Sequence, residues 1–498
     1  MDASNKPVRR VVIAGGGTAG WMAAAALSKT LGKVIDLTLI ESDEIGTVGV
    51  GEATIPTMIT FHNLLELNEA EFMAATQATF KLGISFENWR DVKQDYIHSF
   101  GTTGTDHWTA GFQHFWRKGV ARGVAGDYGD YCRELKASQL GRFAHLPDNG
   151  MNYAYHLDAG LYAKFLRKFS EPLGARRVEG KIVAVNRDAE SGHIQSLTLA
   201  DGARIEGDLF IDCSGFRGLL IGETLGVEYE DWSHWLFCDS ALAVQTASTG
   251  AVPPLTRSIA HDAGWQWRIP LQHRVGNGMV YSSRHTDDDT ARATLMSNLA
   301  GEPLMQPRPI RFTPGQRRQT WVGNCVAIGL SSGFLEPIES TSIHLIQRGL
   351  IRLLQMFPGA GICQSDIDEY NQQTATEVAH IRDFIILHYH VTNREDTQFW
   401  RDCRALDVPA SLRHRIELFR ETGRVFREQN ELFAENSWIQ VMLGQGILPR
   451  RYHPIADRMG DQELAQFLNG IKSSVNAVVA QLPSHPDYIR QYCRAPQL

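Results

Sequence analysis

Apolar and polar positions along the chain alternate between two periods, one near 3.6 residues and one of 2. Arg10 to Ala14 is a short apolar run, Gly15 to Gly20 a glycine turn, and Trp21 to Leu31 an alanine-rich stretch of helical period. Leu37 to Ile40 is a second apolar run and ends in Glu41, so the first 55 residues predict β-α-β. Helical spacing returns over Thr57 to Leu67, is read from Glu69 on to Trp89, and appears again from Tyr155 to Phe169. Residues 100 to 150 scatter glycine, aromatics and histidine without clear period, which predicts surface excursions around a site. Alternation over Arg177 to Asn186, Ile194 to Leu199 and Arg204 to Ile211 predicts strands, with turns at Glu190-Ser191-Gly192-His193 and Asp201-Gly202. Further strands are expected over 235 to 285, broken at Pro253-Pro254 and at Gly276-Asn277-Gly278. Trp321 to Gly329 reads as a strand, Ser331 to Glu336 as a loop, and about Thr341 to Phe357 as a helix. The last 140 residues are mainly helical: Ser365-x-x-Asp368 has the form of an N-cap for a helix through His388, and Asp461 to Leu482 is another.

Composition narrows the class. With 49 Lys plus Arg against 56 Asp plus Glu, the 498-residue chain carries a formal charge of −7, which argues against nucleic acid or an anionic membrane as the main partner. Seven cysteines, an odd number with no CxxC or CxxH pair, indicate neither a disulfide framework nor a zinc site, and no metal is expected. No run of 18 apolar residues occurs, and the polar Met1 to Arg10 leaves no room for a signal peptide before the first strand, so the expected location is cytoplasmic. There is no internal repeat, low-complexity tract or clean linker.

The strongest local pattern is Gly15-Gly16-Gly17-Thr18-Ala19-Gly20, a G-x-G-x-x-G run at the junction of strand and helix. Its first glycine allows the tight turn, its second lets backbone approach a pyrophosphate, and its third lets helix and strand pack closely. The helix N-terminus then offers free N–H groups and positive dipole charge, and Glu41 is spaced to accept from a ribose diol. Phe210-Ile211-Asp212-Cys213-Ser214-Gly215 resembles the second flavin-contacting segment of the glutathione-reductase-like flavoproteins. Val326-Ala327-Ile328-Gly329-Leu330-Ser331 resembles the strand whose end meets the ribityl chain in that group. A second G-x-G-x-x-G is absent, which implies no separate NAD(P)H domain.

Three motifs then point to one family. The GGGTAGW run ending in Trp21, Gly49-Val50-Gly51-Glu52-Ala53-Thr54, and Trp265-Gln266-Trp267-Arg268-Ile269-Pro270 together resemble the flavin-dependent tryptophan halogenases, the last matching their W-x-W-x-I-P signature. The resemblance continues through Phe80-Lys81, Asn88-Trp89-Arg90, Gly333-Phe334-Leu335-Glu336-Pro337, Glu339-Ser340-Thr341, Asn393-Arg394-Glu395-Asp396-Thr397 and Phe399-Trp400. It implies an α/β fold: a glutathione-reductase-like FAD-binding Rossmann core, an interleaved substrate-binding sheet and a largely helical C-terminal region. The expected organisation is a single interleaved unit over 1–498. Its FAD-binding module covers about 1–70, 155–220 and 320–360, and its substrate-binding module about 71–154, 221–319 and 361–498.

The resemblance further implies a two-component reaction in which an NAD(P)H-dependent flavin reductase supplies FADH2. A flavin C4a-hydroperoxide attacked by chloride or bromide gives hypohalous acid, which travels to a lysine and then to a small, indole-like arene. Carried over by position, the lysine is Lys81 and the partner carboxylate Glu339. Lys81 acts either as an ammonium donor to the oxidant or as a haloamine. The cofactor set is Gly15, Gly17, Thr18, Ala19, Gly20, Glu41, Ser42, Val50, Gly51, Glu52, Ala53, Ile182, Asp212, Gly329, Leu330 and Ile343. Thr341 and Ser342 match the halide positions, with Ser342 where better-known members have glycine. His98, Phe100 and Phe433 match substrate positions, and Trp265, Trp267, Ile269, Pro270 and Ser340 the flavin side of the tunnel. A homodimer is the assembly the resemblance suggests. One departure stands out: Glu421 to Phe433 lacks the Tyr pair that clamps free tryptophan, with Glu428 near the place of the clamp's acid, so indole or a substituted indole is the expected substrate. A flavin-dependent aromatic hydroxylase and a catalytically silent flavin-binding partner remain as alternatives. His388-Tyr389-His390 lacks the further ligands a metal site needs.

Overall fold

The computed structural model describes residues 7–44, 51–147, 150–250 and 252–496. Two compact units share the chain alternately. One comprises the segment up to Ala78, Leu157–His234 and Arg311–Ala379; the other comprises Thr79–His156, Trp235–Ile310 and the chain from His380 onward.

In the first unit, the strand Arg10–Ala14 is buried along four of its five residues, so both faces are covered, as a central parallel strand requires. It lies between Leu209–Asp212 and Asp36–Glu41, parallel to both. The full sheet runs in the order Trp321–Val322, Cys325–Ala327, Leu209–Asp212, Arg10–Ala14, Asp36–Glu41, Arg176–Glu179. The helix Thr18–Leu31, with Trp21 and its alanines buried, packs against the helices Ala159–Ser170 and Ser342–Gln355. Elsewhere, Val12, Ala14, Ile40 and Phe210 form one apolar cluster with Ile194, Leu197 and Leu199 of a small antiparallel sheet.

The second unit is built on a seven-stranded sheet in the order Arg308–Arg311, Ser240–Ala247, Arg274–Tyr281, Gly264–Pro270, Leu255–His261, Gly83–Asp91, Gln94–Ser99. Leu255–His261 is parallel to Gly83–Asp91, while its pairing with Gly264–Pro270 is antiparallel. Directly paired residues share a face. The pairs Ile84↔His98, Thr256↔Ile84, Ser258↔Trp267 and Ala260↔Trp265 therefore set His98, Thr256, Trp265 and Trp267 on one face of this sheet.

Several elements differ from the sequence reading. The helix expected from Glu69 to Trp89 stops at Ala75, and Thr79–Lys81 and Gly83–Asp91 are strands. Gln77 sits at φ 55°, a conformation that ends the helical run. Tyr155 to Phe169 is a strand, Ala154–Asp158, followed by a helix from Ala159 whose first turn is capped by the Asp158 carboxylate. Gly276-Asn277-Gly278 does not break a strand. It lies inside Arg274–Tyr281, where a Cβ on Gly278 would stand 2.0 Å from the Trp267 ring, so glycine there makes room for the indole. Trp321 to Gly329 divides into Trp321–Val322 and Cys325–Ala327 around a left-handed Gly323. Within 100 to 150 the helices Phe112–Ala121 and Arg133–Gln139 are present. Ser365 lies inside, not before, the helix Gln364–His390. Among the described residues no helix is long and apolar enough to cross a membrane.

Candidate active site

The glycine turn of the first unit has the geometry its spacing requires. Gly15 has φ 114°, and a Cβ there would stand 2.3 Å from the Cys213 carbonyl oxygen; one on Gly20 would stand 1.8 Å from the Gly15 carbonyl oxygen. Gly17, by contrast, faces open space within 4 Å. It is the N-cap of the 14-residue helix, in extended conformation and with no side-chain cap. The first helical amides, at Thr18, Ala19 and Gly20, are thus left for an anion, and the open side of Gly17 is where backbone can meet a phosphate. These residues fit the pyrophosphate of a dinucleotide cofactor.

Around this turn, Glu41 ends its strand half-buried, accepting from Arg177 Nε at 2.5 Å and from Trp21 Nε1 at 3.2 Å. Ser42 follows it and accepts from the Glu44 amide. Gly51, Glu52 and Ala53 form a short strand; Val50 lies outside the described residues. Burial pushes the Glu52 carboxyl up to about 7. Gly329 and Leu330 open a half-buried 3₁₀ turn, and Ile343 is buried on the helix that follows. Ile182, on the small antiparallel sheet, packs against the apolar cluster of the Rossmann sheet. Asp212 ends the strand Leu209–Asp212. Its carboxylate is fully buried and accepts from the Ser214 amide and hydroxyl and from the Leu220 and Ile221 amides, so it shapes the turn after its strand by holding backbone.

A second anion position lies at the helix Ser342–Gln355. Ser340 is held in the left-handed region at φ 60°, an arrangement that costs a non-glycine residue about 1–3 kcal/mol and clusters at functional sites. Thr341 caps the helix without a side-chain hydrogen bond, and its buried hydroxyl has no hydrogen-bond partner among the described residues. The amides of Ser342 onward, with that hydroxyl, suit a small anion. Glu339, one turn earlier, is 1% exposed. The helix itself is pinned by a polar chain. Thr57 Oγ1 meets His344 Nδ1 at 2.9 Å, and Glu377 joins His344 Nε2 to Arg348 and Arg352. Burial opposes ionisation of Glu377, but His344 and the two guanidinium groups hold its carboxyl down at about 2.

In the second unit Lys81 is 0% exposed, on a strand rather than on the expected helix, and its Nζ stands 5.2 Å from the centre of the Phe100 ring. Contact with the ring favours the cationic amine by up to about 2 kcal/mol. His98 faces Phe384 at 5.6 Å and Phe433 at 6.3 Å, and Phe384 stacks on Phe433 at 3.8 Å. Phe100 therefore sits with Lys81, whereas Phe433 sits with His98. Trp265 and Trp267, two apart on one strand, have ring centres 6.2 Å apart; Ile269 and Pro270 end that strand, both buried. Phe384, the platform under Phe433, carried no signal in sequence: it is one apolar residue in a long helix. Glu428 is engaged by His380 at 3.1 Å and lies 3.8 Å from Arg415, on an exposed edge. His388 is buried and meets the Tyr96 hydroxyl at 2.7 Å. Among the described residues no group of three or more His, Cys, Asp or Glu is placed to hold a metal ion.

The model of the tryptophan halogenase family matches residues 10–461. The chain belongs to this family. It is 35% identical to a tryptophan 7-halogenase of Lentzea aerocolonigenes over 97% of the chain and 98% of that protein. Its structure is similar to that of a flavin-dependent halogenase from Xanthomonas campestris at TM-score 0.98, with 69% identity over 99% of this chain and 100% of that one. It is also similar to a flavin-dependent halogenase from Brevundimonas sp. BAL3 at TM-score 0.94, with 46% identity over 98% of this chain and 99% of that one. As a halogenase of this family it is an oxidoreductase-type enzyme that uses reduced flavin and halide and works with a separate flavin reductase.

Two outcomes follow for the flavin side of this halogenase. Gly17→Ala, whose Cβ meets no atom of the described residues within 4 Å, should fold with unchanged thermal stability yet bind flavin about tenfold more weakly, read by fluorescence titration; unchanged affinity would contradict the cradle. For Glu52, the folded value lies above the unfolded 4.5, so stability should fall as pH rises from 4.5 through about 7. Glu52→Gln should remove that fall, giving a chain more stable than the parent at pH 8 by no more than about 3 kcal/mol and equal to it at pH 4, as measured by denaturant unfolding.

Proposed function

We propose that the chain is an FADH2-dependent halogenase of indole-like arenes, in which Lys81 relays the oxidant and Glu339 is its partner carboxylate. The observation that carries this reading is the complete burial of Lys81 against Phe100. A lysine at 0% exposure is rare, because the ammonium loses its hydration. Reduced flavin, with dioxygen and halide, supplies hypohalous acid. The glycine turn and the helix beginning at Thr18 hold the cofactor's phosphates, and the amides from Ser342, with the Thr341 hydroxyl, hold the halide.

Lys81 then acts on the oxidant. As an ammonium it donates a hydrogen bond to the oxygen of the hypohalous acid and makes the halogen more electrophilic; as a neutral amine it takes the halogen as a haloamine. In either form the balance is the same: the arene loses a proton, gains the halogen, and the hydroxyl leaves as water. The arene's cationic intermediate needs a carboxylate to stabilise it and a base to take its proton, and Glu339 fills both needs. His98, Phe100 and Phe433 give flat surfaces for the ring. Trp265 and Trp267 wall off the flavin side, which favours halogenation over direct hydroxylation.

For substrate, the proposal is indole or a substituted indole in place of free tryptophan. Glu421 to Phe433 has no Tyr pair, and Glu428 is occupied by His380 and Arg415. A site without polar groups for the amino-acid head has little to gain from binding it. The test is an incubation with a flavin reductase, NADH, FAD, either halide, and indole or tryptophan, followed by mass spectrometry. The expected product is indole bearing one halogen, with kcat/KM for indole about tenfold or more above that for tryptophan. Tryptophan ahead of indole would contradict the substrate assignment, and an added oxygen without halogen would favour the hydroxylase.

A further inference from the structure

Lys81 sits on a strand of only three residues, Thr79–Lys81, paired antiparallel with Ala154–His156. So short a pairing fixes little by itself. Its three side chains are nonetheless all 0% exposed, and two buried histidines account for how they are held.

The first is His156, directly opposite Thr79 in the pairing and on the face shared by Thr79 and Lys81. Its Nδ1 lies 3.0 Å from Thr79 Oγ1 and its Nε2 lies 2.9 Å from Thr256 Oγ1. Thr79 has one hydroxyl proton, and donates it to the Pro270 carbonyl at 2.7 Å, so toward His156 it can only accept. His156 Nδ1 must therefore carry a proton. The second is His485, the first residue of the helix His485–Tyr492. It accepts the Phe80 backbone N–H at Nε2, at 3.1 Å, and its Nδ1 faces the Val252 carbonyl at 2.7 Å. Nε2 must lack a proton and Nδ1 must have one. Burial pushes His485 down to about 4; burial, with the charge of Lys81, pushes His156 well below the usual range.

The other face is filled by aromatic rings. Phe80 points away from Lys81, as alternate residues of a strand do, and stacks on Phe143 at 4.1 Å, with His145, Tyr153 and Tyr488 against it. The strand is thus held on the Lys81 face by His156, at its backbone by His485, and on the far face by rings. Two of these anchors come from segments 77 and 405 residues away in sequence.

We propose that His156 and His485 are positioning residues for Lys81, fixing the direction of its amine through hydrogen bonds in which both rings carry a proton on Nδ1 and His485 keeps Nε2 free to accept; this rests on the reading of Lys81 as the relay. Through Thr79 and Pro270, the same hydrogen bonds tie the lysine strand to the end of the Trp265–Pro270 segment. The C-terminal helix therefore belongs to the catalytic apparatus without touching the reactants.

The test compares His485→Phe, which keeps an aromatic ring but removes the acceptor for the Phe80 N–H, with His485→Gln, whose amide oxygen can replace Nε2. Halogenated indole formed per FADH2 oxidised is the readout, with flavin affinity and FADH2 oxidation followed in parallel. His485→Phe should lower that yield by about tenfold or more, through kcat with KM for indole little changed, while flavin affinity and oxidation stay at parental values; His485→Gln should restore most of it. A parental yield in His485→Phe, or a parallel loss of product and flavin oxidation, would overturn the proposal. Lys81→Ala is assayed beside them: a parental yield there overturns the relay reading and the proposal with it, and a yield lost there but kept in His485→Phe overturns the positioning alone. Nitrogen-15 NMR of histidine-labelled protein gives a readout apart from turnover. The resonances that vanish in His485→Phe should show a neutral Nδ1–H ring at pH 7, and a cationic or Nε2–H ring would overturn the assignment.

Discussion

A lysine amine buried at 0% exposure is the constraint on which the rest of this molecule depends. Removing an ammonium from solvent costs several kcal/mol unless its surroundings compensate. Here the face of the Phe100 ring supplies part of that compensation. The cost also dictates the neighbours. A cationic histidine beside a buried lysine would add repulsion, and burial, with the charge of Lys81, holds His156, on the same strand face, neutral. Proton positions at Thr79, His156, Thr256 and His485 thus follow from one requirement: that the lysine be fixed in direction and dry.

Division of labour between the two units follows from the kinds of surface each fold offers. A parallel sheet flanked by helices presents helix N-termini, which suit phosphates and halide, and the first unit has two such ends, at Thr18 and Ser342. A large mixed sheet presents a broad face of alternating residues, which suits a flat arene, and the second unit sets His98, Thr256, Trp265 and Trp267 on one such face. Polar anchoring is heavy in both. Glu377 with His344, Arg348 and Arg352 fixes the helix Ser342–Gln355, and His156 and His485 hold the strand of Lys81.

Local patterns made the cofactor side legible. The glycine spacing, Glu41 at a strand end and the strand before Asp212 all depend on residues near one another in sequence, and each has a backbone consequence that periodicity or turn chemistry reports. Lys81 could be named only by resemblance, and its local structure was misread: the apolar run from Glu69 looks helical until Gln77, and the helical period was carried on over Phe80, Leu82, Ile84 and Phe86, whose alternation with Lys81, Gly83 and Ser85 is the period of a strand. Gly276-Asn277-Gly278 misled for the opposite reason, since the glycine serves a ring on the neighbouring strand, a tertiary demand invisible in one segment. Asp212 carried an acid at the expected place, but its partners are amides eight and nine residues on. His485 gave no signal at all, because its partner lies 405 residues away.

The fate of the halogen atom in a Lys81→Met protein tests the central claim most directly. With reduced flavin, dioxygen, bromide and indole present, and a hypohalite trap in solution, flavin should be oxidised at the parental rate while bromine appears on the trap and not on indole. Bromoindole formed at the parental rate by that variant would contradict the account.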